Sequence, residues 1–201
     1  LTLQSGFGIT DSGIATVTGN LSATTSGTAT IVLDLLAVAS PGTISLTTVN
    51  ANATVVNASG LIFGASSVVG DLTATATAGD FSQTGSLTVT GNSSFTAATT
   101  QNIILDNASN NFTGTLDFNS AGNLTNVTIR DTTAIDIQAL NITGNLTVTA
   151  GGAITDGGTL TVGGNLTATT TSGAILMDQL LVATMISVNT SGTDDATIVN
   201  G

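Results

Sequence analysis

The sequence predicts an all-β fold, a parallel β-helix in which successive turns of the chain stack along one axis. The run Ile-x-Leu-Asp, or Ile-x-Met-Asp, recurs at Ile31–Asp34, Ile103–Asp106 and Ile175–Asp178, at a constant 72-residue interval. Aliphatic residues alternate with Thr, and the composition has 24 Gly and 6 Phe without Trp or Tyr. Stacked coils need small and medium aliphatic residues in register, so the repeat, the alternation and the composition together indicate a solenoid.

A second set of sequence marks keeps nearly the same period. Gly19-Asn20-Leu21, Gly91-Asn92-Ser93 and Gly164-Asn165-Leu166 follow one another at steps of 72 and then 73 in the numbering. Each copy is too small to bury its apolar face alone, so neighbouring copies are expected to stack and share one core. The marks divide residues 1–201, which we interpret as one segment of a longer array, into copies at about 19–90, 91–163 and 164–201.

Short runs of alternating aliphatic and Thr residues predict the strands. Leu72–Thr77, Leu87–Thr90 and Leu146–Thr149 have this pattern with a period of two. Successive side chains of a strand point to opposite faces, so we expect the aliphatic residues in a core and the Thr hydroxyls in water. Leu166 begins another such run, and its side chain is expected inside.

Gly-Asn pairs predict the turns, because both residue types tolerate positive φ and the Asn side chain can bond the neighbouring backbone. The predicted turn residues are Gly19, Asn20, Gly91, Asn92, Gly122, Asn123, Gly144, Asn145, Gly164 and Asn165. The last three pairs follow one another at steps of 22 and 20. These steps suggest coils of roughly 20–24 residues each. The simplest integer solution is three coils per 72-residue copy, with eight or nine coils in the chain.

A meander of hairpins forming tandem sandwich domains is the competing all-β architecture. Tight hairpins favour the order Asn-Gly, which occurs only at Asn200-Gly201, whereas the order Gly-Asn is frequent. Sandwich domains of about 100 residues also normally have aromatic core anchors, and this chain has only 6 Phe. Both points favour the β-helix.

Four stretches of the sequence carry a family resemblance. Asn111–Gly114, Gly122–Thr125, Gly144–Asp156 and Leu160–Leu166 resemble the repeat region of filamentous haemagglutinin-like large exoproteins. Through the 72-residue copies the resemblance covers most of the chain. It implies a long, right-handed β-helix that projects from bacteria after secretion through an outer-membrane partner, often in adhesion or biofilm formation. The residues themselves identify no receptor.

The composition excludes several classes of function. The chain has 12 Asp, no Glu, no Lys and a single Arg130, which gives a formal net charge of −11. Such a chain repels phosphate, so nucleic-acid binding is not expected. The apolar runs are too short to span a bilayer, so membrane insertion is not expected either. Cys is absent, and we expect no disulfide, no thiolate metal site and no cofactor.

Catalysis is poorly supported because His, Cys, Lys, Glu and Tyr are all missing. Only an Asp pair in the manner of a glycosidase remains conceivable. The candidates are the pair Asp194-Asp195 and the group Arg130, Asp131 and Asp136. Solvated turns explain these residues better, and the chain is not expected to be an enzyme.

The repeated Asp34, Asp106 and Asp178 are weak calcium candidates. If the copies superpose after three coils, these carboxylates form a column with a spacing of roughly 14 Å. That spacing is too large for a shared calcium ion, which takes six to eight oxygen ligands. We therefore expect solvated turn carboxylates that keep the rod soluble.

Two further patterns have a functional and a structural interpretation. Thr-x-Thr pairs beginning at Thr16, Thr28, Thr73, Thr88, Thr147, Thr159 and Thr167 suggest an ice-binding face, but their unequal spacing argues against one flat array. Twelve Asn-x-Ser/Thr motifs, among them those at Asn20, Asn52, Asn92, Asn123, Asn145 and Asn165, are glycan acceptors in secreted proteins. Stacked Asn ladders are the better interpretation of these motifs.

The leading hypothesis is a structural or adhesive repeat segment of a secreted bacterial surface fibre, acting as a stiff stalk. Its expected partners are further repeats or copies of itself end to end, host or surface glycans, and neighbouring fibres. One alternative is a self-assembling sheath or surface-layer subunit, which would polymerise end to end. The other is a carbohydrate-binding or carbohydrate-cleaving β-helix, which would have a groove lined by Asp residues and aromatic platforms.

Overall fold

The computed structural model describes residues 1–201 and is a parallel β-solenoid of ten coils. Every strand pair is parallel, and the chain contains no helix. The predicted fold class is confirmed. The predicted number of coils, eight or nine, is too low, because coil length varies and several coils are short. The step between paired residues is only 19 from Ala53 to Leu72, although it is 24 from Ile103 to Val127.

Each coil contributes strands to two parallel sheets, called here sheet A and sheet B, and each sheet has thirteen strands. The strands of the first five coils are β1 (Thr2–Ser5), β2 (Ile9–Thr10), β3 (Ala15–Val17), β4 (Leu21–Thr25), β5 (Ile31–Val38), β6 (Ile44–Thr47), β7 (Ala53–Asn57), β8 (Leu61–Phe63), β9 (Ser66–Val68), β10 (Leu72–Ala76), β11 (Phe81–Gln83), β12 (Leu87–Val89) and β13 (Ser93–Ala97). Those of the last five are β14 (Ile103–Leu105), β15 (Asn111–Phe112), β16 (Leu116–Ser120), β17 (Val127–Asp131), β18 (Ile135–Ile137), β19 (Leu140–Ile142), β20 (Leu146–Ala150), β21 (Ile154–Asp156), β22 (Leu160–Val162), β23 (Leu166–Thr170), β24 (Ile175–Val182), β25 (Ile186–Asn189) and β26 (Ala196–Asn200).

One hydrophobic core of 46 buried residues runs along the rod between the two sheets. Alternate residues enter it, as β20 shows: Leu146, Val148 and Ala150 are buried, while Thr147 and Thr149 are partly exposed. Because the strands pair in register, similar residues of successive coils stack on each other, as Leu146 does on Leu166. Leu166 is fully buried, which confirms its predicted inward position. Burial of each such Leu contributes about 1.5–3 kcal/mol.

The two sides of a coil differ in shape. We call a side straight when it is one continuous strand, and split when a corner divides it into two short segments. Sheet B is split in the first two coils (β2 with β3, and β5) and again near the other end (β18 with β19, β21 with β22, and β24). Sheet A is split in the middle (β8 with β9, β11 with β12, and β14 with β15). The split side therefore changes from one face of the rod to the other and back.

This change of face explains the 72-residue repeat. Gly19-Asn20 leads into β4 in sheet A, Gly91-Asn92 leads into β13 in sheet B, and Gly164-Asn165 leads into β23 in sheet A. Each of these strands is the seventh side after the previous one, and two sides make a coil, so the repeat spans three and a half coils. The expectation of three coils per copy is wrong, because each copy is turned by half a coil relative to the previous one.

Candidate functional site

The polar groups with the most regular arrangement form what we call the Asx ladders. In each ladder an Asn or Asp lies just before a strand, and its Oδ1 accepts a hydrogen bond from the backbone N–H of the corresponding residue in the next coil. The donor-acceptor pairs before sheet A are Asn102 to Asp80 (2.7 Å), Asn126 to Asn102 (3.2 Å), Asn145 to Asn126 (2.8 Å), Asn165 to Asn145 (2.8 Å) and Thr43 to Asn20 (3.0 Å). Those before sheet B are Asp71 to Asn52 (2.8 Å), Asn92 to Asp71 (2.8 Å) and Thr115 to Asn92 (3.1 Å).

The ladders include residues that the Gly-Asn pattern did not predict. Asn52, Asp71, Asp80, Asn102 and Asn126 belong to them, and each is followed directly by the first residue of a strand. An Asx residue placed directly before the apolar first residue of a strand is the signal that would have found them. The predicted Asn123 is exposed and takes no part in a ladder, and the buried Oδ1 of Asn165 has no hydrogen-bond partner.

The glycines of the Gly-Asn pairs serve close packing. None of Gly19, Gly91, Gly122, Gly144 and Gly164 has positive φ, so the predicted conformational reason is wrong. A Cβ on Gly144 would lie 2.4 Å from Asn126 Oδ1, and a Cβ on Gly164 would lie 2.5 Å from Asn145 Oδ1. Glycine is needed at these two positions because the ladder side chain of the previous coil occupies the space.

Asp34, Asp106 and Asp178 all lie at corners of split sides, but they do not form one column. Asp34 and Asp178 are on sheet B, whereas Asp106 follows β14 on sheet A, because of the half-coil turn between copies. No group of three or more His, Cys, Asp or Glu side chains is arranged to hold a metal ion.

At two of these corners, those of Asp34 and Asp178, a carboxylate of the preceding coil binds the backbone. Asp11 accepts hydrogen bonds from the backbone N–H groups of Asp34 (3.1 Å) and Leu35 (3.0 Å). Asp156 accepts the same pair of bonds from Asp178 (3.1 Å) and Gln179 (3.0 Å). The corner N–H groups point away from the strand ladder, and one carboxylate satisfies both of them.

Asp131 is a buried carboxylate at a position where the other copies have an amide. Asn57, Asp131 and Asn200 occupy equivalent positions in β7, β17 and β26. Asn57 accepts a bond from the Val38 N–H and donates one to the Val38 carbonyl, and Asn200 does the same with Val182.

The hydrogen-bond partners of Asp131 differ from those of the two amides. Asp131 is 3% exposed and accepts bonds from the backbone N–H groups of Phe112 (3.2 Å) and Thr132 (2.7 Å) and from Thr133 Oγ1 (2.9 Å). Burial raises the pKa of Asp131 above its ordinary value, and these hydrogen bonds oppose part of that rise.

The other catalytic candidates are not brought together. Arg130 and Asp131 are adjacent in β17 and point to opposite faces, Arg130 to solvent and Asp131 inward. Asp136 lies on the other sheet, in β18, and its Oδ1 accepts a bond from Thr155 Oγ1. Asp194 Oδ2 accepts a bond from the Gly173 N–H at 2.8 Å, as expected for a turn residue, and Asp195 is exposed.

The Thr-x-Thr pairs are distributed over both faces. Thr147 and Thr149 lie in register with Thr167 and Thr169 on sheet A. Thr73, by contrast, is on sheet B, beside Thr54 and Ser94. The pairs do not form a single array, in agreement with the expectation from their spacing.

One of several shallow concave features on the rod lies in the second copy of the repeat. It is a notch of about 280 Å³ on sheet B between β16 and β19, lined by Phe118, Asn119, Ser120, Gly122, Ala139, Leu140, Asn141, Thr159 and Thr161. Phe118 and Leu140 are buried beneath it, whereas Asn119 and Asn141 are exposed on its rim. Asn119 Nδ2 donates to Asp117 Oδ2 at 2.8 Å, so the amide group is held in position.

Comparison with protein families agrees with this architecture. A family model described as repeats of unknown function (DUF5649) matches residues 50–119 and 124–193, which together make up more than half of the 201 residues. The chain belongs to the DUF5649 repeat family. It matches no curated protein and no solved structure. The chain contains no helix that could span a membrane.

The family repeat coincides with the structural one. The first match contains the sides from β7 to β16 and the second those from β17 to β25, so each DUF5649 repeat holds seven sides. The starts of the two matches differ by 74 in the numbering, close to the period of the sequence marks, although the boundaries are shifted from the copies at 19–90 and 91–163. A DUF5649 repeat in this chain is therefore three and a half coils of solenoid.

Proposed function

We propose that this DUF5649 chain is a structural repeat segment of a secreted bacterial cell-surface fibre, in which it acts as a stiff stalk. The observation that supports this function best is the unbroken core of 46 residues between two thirteen-stranded sheets. Ten coils at about 4.8 Å each give a length of roughly 43 Å between the first and last coil. A repeat architecture of this kind extends by adding copies, since each copy contacts only its neighbours.

The surface chemistry supports long exposure outside a cell. With a net charge of −11 the rods repel one another, which opposes sideways aggregation of the hydroxyl-rich faces. Arg130 is the only site for a trypsin-like protease, because the chain has no Lys. In this proposal the partners are further repeats end to end and neighbouring fibres or surface glycans, and the rod itself performs no catalysis.

Immunogold electron microscopy of intact cells of the source organism tests the proposal. Antibodies against residues 1–201 are expected to label extracellular fibres without permeabilisation. Inserting three more copies of residues 124–193 is expected to lengthen each fibre by about 50 Å, since each copy adds three and a half coils of about 4.8 Å. Label only inside permeabilised cells, or fibres of unchanged length, would contradict the stalk function.

A further inference from the structure

The notch on sheet B results from a two-residue insertion in the second copy. The interval between equivalent residues is 72 from Ile44 to Leu116, but 74 from Ala53 to Val127. The two extra residues therefore lie between β16 and β17, where the turn 120–123 projects over Ala139 and Leu140 of the next coil.

The same place in the first copy is closed. There β6 pairs with both segments of the following split side, at Ile44 with Phe63 and at Thr47 with Ser67. In the second copy β16 pairs with β18 only at Leu116 and Ile137, and the next bridge joins Leu124 to Ile142. Between these two contacts seven residues of one coil face four of the next, and the excess chain opens the notch.

The lining of the notch selects a chemical class of ligand. Ala139 is the exposed apolar residue of its floor, and Phe118 and Leu140 lie almost fully buried beneath it. Its rim carries the amides of Asn119 and Asn141 and the hydroxyls of Thr159 and Thr161. Uncharged donors and acceptors around a small apolar patch suit a neutral ligand that carries many hydroxyl groups. No cation lines the notch, so phosphates and acidic sugars would lack a counter-charge; the single basic side chain, Arg130, is on sheet A.

We propose that this notch binds a neutral hexose residue of a glycan. The amides and hydroxyls of the rim exchange hydrogen bonds with its hydroxyl groups, and Ala139 contacts the C–H face of the sugar ring. Asp117 holds the amide of Asn119 in place through the 2.8 Å bond, which limits the ordering that binding requires. This inference rests on the part of the proposed function that gives surface glycans as partners, and it names the site and the class of sugar. Its test uses the isolated chain, so a failure of glycan binding leaves the stalk function untouched.

Saturation-transfer NMR and isothermal titration with the whole 201-residue chain test the proposal. The probes are the neutral tetrasaccharides of glucose, mannose and N-acetylglucosamine, with tetragalacturonate as the acidic counterpart. For a shallow site without an aromatic platform we expect at least one neutral probe to bind with a Kd of about 1 mM. Asn119→Ala and Asn141→Ala are each expected to weaken that binding by about tenfold. Ala139→Leu fills the notch without removing any polar group and is expected to abolish it.

The first copy provides matched controls. Thr47 and Ser67 are the equivalents of Asn119 and Asn141 where no notch exists, so Thr47→Ala and Ser67→Ala should leave glycan binding unchanged. Circular dichroism and Tm confirm that each variant keeps the fold. The proposal is overturned if no neutral probe binds with a Kd below about 10 mM. It is also overturned if tetragalacturonate binds as well as the neutral probes, or if the folded Asn119 and Asn141 variants bind like the parent.

Discussion

The strands β4 and β13 occupy the same position in two copies of the repeat, yet their cores are filled differently. In β4 the first two inward residues are Leu21 and Ala23, and β23 repeats this choice with Leu166 and Ala168. In β13 they are Ser93 and Phe95. The two strands therefore correspond within the repeat although they lie on different sheets, and a small residue and a large one exchange places along them.

This exchange belongs to a change that spans several coils. Phe95 lies at the centre of an aromatic cluster with ring centroids 5.9–6.3 Å from those of Phe63, Phe81, Phe112 and Phe118. The cluster fills the part of the rod in which sheet A is split. The arrangement has a cost at Ser93, since its hydroxyl oxygen is buried without a hydrogen-bond partner. The comparison indicates that stacking requires a certain total side-chain volume from the two inward positions together, and does not require particular residues at each of them.

The largest effect is expected from a charge in the position shared by Leu21, Ser93 and Leu166. Leu166→Asp places an unpaired carboxylate between Leu146 and Ile186 and should destabilise the rod by more than about 4 kcal/mol, with loss of two or three coils. Thr167→Asp, one residue away on the outer face, is the control. Thermal unfolding and amide hydrogen exchange measure both variants. An unchanged Tm for Leu166→Asp would show that this side chain does not point inward.

The exchange between Ser93 and Phe95 can be broken in two steps. Phe95→Ala leaves a cavity and is expected to cost about 3–5 kcal/mol, whereas Ser93→Leu overfills the same layer and should cost about 1–3 kcal/mol. Together they recreate the Leu-Ala pair of β4. We expect Ser93→Leu to cost less in the Phe95→Ala background, with a favourable coupling of about 0.5–3 kcal/mol in a double-mutant cycle. Additive effects would mean that the two positions do not compensate each other.

The corner carboxylates provide a smaller contrast. Asp156 accepts two backbone bonds from the next coil, whereas Asp178 contributes its own N–H and its side chain makes no hydrogen bond. Asp156→Ala is expected to cost about 1–2 kcal/mol, and Asp178→Ala to change stability by less than about 0.5 kcal/mol. Chemical denaturation at pH 7 measures both. Equal losses would remove the distinction between the two carboxylates.

Asp131 gives the smallest effect and a defined pH dependence. Its folded-state pKa is raised by burial, so the folded chain holds the proton more tightly than the unfolded chain does. The contribution of Asp131 to stability is therefore complete below its unfolded pKa and is lost as the pH rises through the raised folded value. Asp131→Asn recreates the amide of Asn57 and should gain about 1 kcal/mol at pH 7.

At pH 3 the carboxyl of the parent is protonated, and this advantage of Asp131→Asn should vanish. Thermal unfolding of parent and variant at both pH values provides the test, with Asp136→Asn as the control on the other sheet. A variant that is no more stable than the parent at pH 7, or equally superior at both pH values, would contradict this account of Asp131.

The sequence predicted the fold class and the inward residues because both depend on local alternation and on a period that can be read directly. Leu146, Val148 and Leu166 illustrate this, since each lies in an aliphatic-Thr run and each is buried. The half-coil turn between copies could not be predicted. The period does not indicate which sheet a strand joins. Because the step per coil varies from 19 to 24, a 72-residue copy fits three coils nearly as well as three and a half.

The site features escaped prediction for a different reason. The notch depends on a two-residue difference between the intervals 72 and 74, which matters only once the facing coil is known. The role of Asp131 likewise depends on the inward direction of the last residue of β17, whereas the sequence pattern had indicated a solvated turn shared with Arg130 and Asp136. In both cases the role of a side chain depends on its contacts with a neighbouring coil, which lies a full turn away along the chain.

Distances between spin labels at Asp34, Asp106 and Asp178 test the half-coil repeat most directly, and the absence of native Cys makes the three double-Cys variants clean to label. Double electron-electron resonance should place labels 34 and 178 on one face, about 34 Å apart along seven coils. Labels 34 and 106 should be separated by the width of the rod in addition to an axial rise of about 17 Å. A separation of only about 14 Å between labels 34 and 106, as for three full coils on one face, would contradict the account.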